Sequence, residues 1–112
     1  MLVHCLTLRF TSTATDAEIE AFRSALAALP DELDFPVHIR QGRDLGERPT
    51  NADYGVVAEF GSAEDFRTYL AHPAHLALPR SHVESTQSVQ FELDGSSSAP
   101  SCGARIGVPP GR

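Results

Sequence analysis

The stretch Tyr54-Gly55-Val56-Val57-Ala58-Glu59-Phe60-Gly61-Ser62-Ala63-Glu64-Asp65 changes its period midway. From Tyr54 to Phe60 the larger apolar residues recur at every second position, the mark of a strand packed in a sheet. Val57 adds apolar surface to the other side, so this strand reads as a central one. At Ser62 the pattern switches. A small hydroxyl side chain followed by two acids caps a helix, and Phe66, Tyr69 and Leu70 then fall on one core-facing stripe.

Downstream, Pro73 stops or kinks the helix after His72, because proline lacks the amide that the next turn needs. Residues 75–85 read as an irregular or helical return. Ser88–Leu93 forms a further strand, with Val89, Phe91 and Leu93 alternating inward. Upstream lies a polar loop over Arg43–Asn51, with Gly42 and Gly46 at the exit of a strand that starts at Val37-His38-Ile39-Arg40. Before it, Thr15-Asp16-Ala17-Glu18 is a capping box. The helix it opens carries Ile19, Phe22, Leu26 and Leu29 on one stripe, and Pro30 with the polar Asp31–Asp34 segment ends it. At the start of the chain, Val3–Phe10 alternates with His4, Leu6, Leu8 and Phe10 on one face.

The order is β-α-β-β-α-β, a ferredoxin-like α+β domain with both helices on one face of a four-stranded sheet. The other face carries Val3, Cys5, Thr7 and Val57 and is too apolar to sit bare in water. A two-fold contact with a second copy covers it, which predicts a homodimer in the form of a dimeric α/β barrel.

The 112-residue chain is expected to form one domain over residues 1–94. From Gly95 onward Gly, Ser, Pro and Ala dominate and periodicity vanishes, so residues 95–112 are expected to be a disordered tail. Net charge is −6, and the nine basic residues are all scattered arginines, which excludes the basic stripe of a nucleic-acid binder. No run approaches the roughly 18 apolar residues of a membrane span. Cys5 and Cys102 are too few and too far apart for a disulfide framework, so a reducing, cytoplasmic setting is expected.

At Tyr69-Leu70-Ala71-His72-Pro73-Ala74-His75 the sequence resembles the stress-responsive dimeric α/β-barrel (Dabb) family, whose signature is Tyr-x-x-His-Pro-x-His at the end of the second helix. His4 in the first strand and the turn Phe60-Gly61-Ser62-Ala63-Glu64 agree with it. The resemblance spans about residues 2–94 in the same order of elements. Some relatives are enzymes similar to olivetolic acid cyclase of plant polyketide pathways, which close a ring by an aldol-type step with no metal or cofactor. By that resemblance His75 is the candidate acid/base and Tyr69 its orienting or oxyanion-stabilising partner. His4 lines the same cavity, between helices and sheet. The cyclase has a further His at the start of its third strand, where this chain has Tyr54.

The residues themselves allow two readings of the motif. Tyr69 and His75 form an acid/base pair, imidazole titrating near neutrality and phenol holding or donating a proton; or Tyr69 packs in the core with its hydroxyl on His75. His72 reads as a helix C-terminal cap, with a proton relay as the alternative. His4, His72 and His75 lack the spacing of a helical zinc pair, so no metal is expected. Leu6, Leu8, Phe22, Val56, Val89 and Phe91, together with His4 and Tyr54, line either a substrate pocket or a solid core. Arg80 and His82 lie near the mouth, free to meet an anionic group or simply solvated. Two functions follow: a cofactor-independent cyclase or lyase acting on a small apolar carbonyl, aromatic or polyketide-like compound, or a non-catalytic stress-responsive or ligand-binding dimer. A subunit that stabilises a partner enzyme is a third.

Overall fold

The computed structural model describes residues 1–93; the expected tail, the boundary at residue 94 and Cys102 lie outside the described residues. Strand β1 spans Leu2–Phe10, helix α1 Asp16–Ala28, β2 Val37–Arg43, β3 Tyr54–Phe60, helix α2 Ala63–Ala71, the short helix α3 Pro73–Leu76, and β4 Val83–Glu92. The sheet runs in the order β2-β3-β1-β4, with every neighbouring pair antiparallel. This is the ferredoxin-like α+β arrangement, with the two strands nearest the centre contributed by β1 and β3.

Local chemistry sets the helix ends. The Thr15 hydroxyl accepts from the Glu18 amide at 3.1 Å, and the Glu18 carboxylate accepts from the Thr15 amide at 2.9 Å, closing the capping box. The Ser62 hydroxyl accepts from the Asp65 amide at 3.1 Å and opens α2. Pro30 does not stop the chain abruptly. Its ring tolerates the start of a helical turn, and Leu29–Glu32 continues α1 as a 3-10 turn that keeps Leu29 buried.

Ile19, Phe22, Leu26 and Leu29 from the α1 side meet Leu2, Leu8, Tyr54, Val56, Ala58 and Phe60 from β1 and β3. Phe60, the most buried large side chain, packs edge-on against Phe66 and Tyr69 of α2. Burying a Phe side chain contributes about 1.5–3 kcal/mol, so this cluster anchors α2 to the sheet.

Strand β4 departs from expectation in two ways. It begins at Val83, five residues before Ser88, because β1 pairs with it along its whole length, from Leu2 with Glu92 to Phe10 with Val83. Its alternation is also inverted. His4, Leu6 and Leu8 lie beside Gln90, Ser88 and Thr86, so the polar residues of β4 share the helix side of the sheet. Val89 and Phe91 lie beside Cys5 and Val3 on the opposite, open face, where they are 54% and 42% exposed. They do not point inward.

Candidate functional site

A cavity of about 250 Å3 lies between the sheet and the helices. Its floor is His4, Leu6, Leu8 and Val56; its roof is Phe22 and Leu26 of α1, Tyr69 and Leu70 of α2, and His75 of α3. Leu78, Arg80, Val83, Thr86 and Ser88 close the side nearest β4. Of the residues expected around the site, His4, Leu6, Leu8, Phe22, Val56, Tyr69 and His75 are brought together here.

Three expected pocket residues are placed elsewhere. Val89 and Phe91 stand on the open face, for the reason of register given above. Tyr54 is buried, but its ring packs against Phe10 and Phe22, and its hydroxyl donates to Gln41 Oε1 at 2.7 Å. It lies outside the cavity lining.

Each titratable group in the cavity has a distinct environment. Tyr69 is 3% exposed, and burial pushes its phenol up to about 12, with the Arg80 charge pulling weakly the other way. It therefore stays protonated at physiological pH. The helix end that Pro73 creates swings His75 back over Tyr69: the ring centroids are 4.6 Å apart and the planes are tilted by 53°. The rings therefore meet in a tilted contact. His75 Nδ1 is buried with no hydrogen-bond partner among the described residues. Burial lowers the His75 pKa, and the charges of Arg80 and His4 add to that, with the Leu70 backbone acting in the opposite sense. His4 is also lowered by burial; its ring packs on Phe66 at 4.9 Å, and its Nδ1 lies 2.8 Å from Gln90 Nε2. One buried and one half-buried imidazole, both favouring the neutral form, and one phenol favouring the protonated form therefore share one small space.

The supporting residues are fixed by the backbone. His72 Nδ1 accepts from the Ala74 amide at 3.0 Å, so His72 caps the start of α3, where a C-terminal cap on the carbonyls of α2 was expected. Arg80 spends its guanidinium on the carbonyls of His75, Leu76 and Leu78 at 2.7–3.2 Å, capping the C-terminal end of α3. His82 is neither solvated nor at a mouth. It is 2% exposed, wedged between Phe10 and Phe22, with Nε2 unpartnered among the described residues. Among the described residues no three His, Cys, Asp or Glu side chains converge as a metal site. No helix among them is long and apolar enough to cross a membrane.

A larger hollow of about 600 Å3 lies on the open face, lined by Cys5, Thr7, Gly55, Val57, Gln87 and Val89. It is a shallow trough without an acid/base pair.

The fold, the cavity between helices and sheet, and the Tyr-x-x-His-Pro-x-His placement coincide with a family match over residues 2–93 to the stress responsive A/B barrel domain. The chain belongs to the Dabb family. A dimeric ferredoxin-like protein of unknown function from Thermobifida fusca is 31% identical to this Dabb chain, with a TM-score of 0.71 over 82% of this chain and 90% of that one. A Dabb family protein from Mesorhizobium loti is 18% identical, with a TM-score of 0.67 over 84% and 97% of the two chains. The hydroxynitrile lyase of Passiflora edulis shares the fold at 17% identity, with a TM-score of 0.73 over 83% and 93%. No curated protein matches the sequence significantly.

The residues that the sequence did not assign to the site are Leu26, Leu70, Leu78, Val83, Thr86, Ser88 and Gln90. Leu26 was visible as part of the α1 stripe. Thr86, Ser88 and Gln90 carried no signal until β4 was paired with β1.

Proposed function

We propose that this Dabb chain acts as a homodimer whose cavity carries out cofactor-independent proton transfer on a small, mostly apolar carbonyl or aromatic compound, as a lyase or cyclase does. One observation carries the reading: Tyr69, His75 and His4 border the same cavity, and most of the remaining wall is hydrocarbon. A neutral imidazole is a base and a protonated phenol is a donor, and their environments hold them in those states. In the proposed step His75 takes a proton from the substrate, and Tyr69 donates a hydrogen bond to the oxygen that gains negative charge. The same proton then returns from His75 to the product. The Passiflora edulis enzyme gives the lyase reading a precedent on this fold. Dimerisation covers Val57, Val89 and Phe91 on the open face, and the dimeric Thermobifida fusca relative supports it.

A second reading, a ligand-binding or stress-associated dimer without catalysis, is favoured by the tilted ring contact of Tyr69 and His75, in which His75 Nδ1 has no hydrogen-bond partner among the described residues. A turnover screen over small aromatic β-keto compounds and hydroxynitriles separates the two. Catalysis requires His75→Ala and Tyr69→Phe each to reduce turnover by at least ~100-fold, with stability moving by only ~1 kcal/mol. Intact ligand affinity in both variants, combined with a large loss of stability in His75→Ala, assigns the pair a structural role.

A further inference from the structure

Strand β4 wears its polarity inside out. An antiparallel strand with one covered face ordinarily turns apolar residues to the core and polar ones to water. Here the helix-side positions are Thr86, Ser88 and Gln90, and the open-face positions include Val89 and Phe91. Thr86, Ser88 and Gln90 are solvent-exposed on the helix side, so β4 forms an open polar rim of the cavity, while Val89 and Phe91 stand on the face that the proposed dimer covers. The β1 residues paired with Ser88 and Thr86 are Leu6 and Leu8, so these hydroxyls border the hydrocarbon part of the floor.

The hydrogen-bond inventory of this wall has an open end. Gln90 Nε2 donates to Ser88 Oγ at 3.1 Å, which leaves the Ser88 hydroxyl proton for another acceptor. Thr86 lines the cavity one step along the strand and contributes a second hydroxyl. Opposite them stand Phe22 and Leu26. A cavity of this kind orients its occupant by a few polar groups on one side and selects its body by shape on the other.

We infer that Thr86 and Ser88 are specificity-determining residues, and that the cavity takes a small ring compound whose carbonyl or hydroxyl oxygen faces β4 while its hydrocarbon body lies against Phe22 and Leu26. This rests on the proposal that the cavity is a ligand site. It adds a second polar anchor, separate from Tyr69 and His75, and so a fixed orientation of the ligand between the two.

The test uses acetophenone and α-methylstyrene, which match in shape and differ in C=O against C=CH2. Binding of each to the full chain is followed by NMR titration, observing the methyl groups of Leu6, Leu8 and Leu26. The olefin leaves water more readily, so the informative quantity is the change in the ratio of the two dissociation constants between proteins. Thr86→Val with Ser88→Ala weakens acetophenone about tenfold relative to α-methylstyrene, as expected for lost neutral hydrogen bonds. Either single replacement shifts the ratio in the same direction, and Thr86→Ser with Ser88→Thr preserves it. A ratio unchanged by all the hydroxyl-removing variants overturns the role of β4 and leaves the cavity standing as a ligand site. Failure of both probes to perturb the cavity methyls in the wild-type chain overturns the ligand site and this inference together.

Discussion

Gln90 reaches across the β1–β4 pair and places its amide nitrogen 2.8 Å from His4 Nδ1. A donor at Nδ1 leaves the proton of a neutral ring on Nε2, so His4 offers the cavity an N–H. Replacing the amide by a carboxylate reverses the demand: Gln90→Glu accepts from Nδ1–H and favours the charged ring. Long-range nitrogen–proton NMR correlations of His4 are expected to show the Nε2–H tautomer in the wild type. In Gln90→Glu they are expected to show protonated Nδ1 and a raised pKa. The same tautomer and pKa in both proteins would remove Gln90 from the site.

The lowered pKa values of His4 and His75 make stability depend on pH. Below the ordinary value of 6.5 the unfolded chain takes up protons that the folded rings resist, so acid favours unfolding. The contribution is fully present above 6.5, is lost as pH falls through the lowered folded values, and levels off beneath them. Melting temperature is expected to be level above about pH 6.5 and to fall from there toward about pH 5, a window in which ordinary carboxylates stay ionised. His75→Gln should flatten part of that fall. A wild-type profile that is level across the window contradicts the buried-neutral assignment.

What could be read from the chain was whatever short spacing encodes. The Thr15–Glu18 box and the Ile19, Phe22, Leu26, Leu29 stripe depend on residues within a few turns, and both appear as expected. Strand β3 was legible to the residue because its two faces differ clearly. The inversion of β4 was not, since alternation tells which residues share a face and not which face is covered. Val89 and Phe91 were assigned inward on the ordinary rule; only pairing with Cys5 and Val3 fixes them outward. The Tyr69–His75 meeting was anticipated from the Pro73 break, but its geometry, ring against ring, depends on where α3 returns.

Tyr54 offers a direct check on the boundary of the site. Its hydroxyl is committed to Gln41 at 2.7 Å and its ring to Phe10 and Phe22. Tyr54→Phe keeps the ring and forfeits one partly buried hydrogen bond, a cost of about 1 kcal/mol. Calorimetry should register that loss, and titration with acetophenone should show wild-type affinity. A substantial loss of affinity would return Tyr54 to the pocket.

The proposed dimer is most sharply tested at Val89. In a single chain Val89 is 54% exposed on the open face, so a carboxylate there has water around it and little reason to disturb the fold. In the dimer the same position lies under a second copy, where an ionised group without a partner costs several kcal/mol. Val89→Asp is therefore expected to fold with wild-type secondary structure by circular dichroism and to sediment as a monomer at micromolar concentration, while the wild type sediments as a dimer. The cavity is built from one chain, so the monomeric variant should retain binding of acetophenone. A Val89→Asp protein that remains a tight dimer would move the interface off this face, and a monomeric wild type would remove the dimer altogether. Loss of binding in a folded monomer would mean that the partner copy completes the wall formed by Thr86 and Ser88.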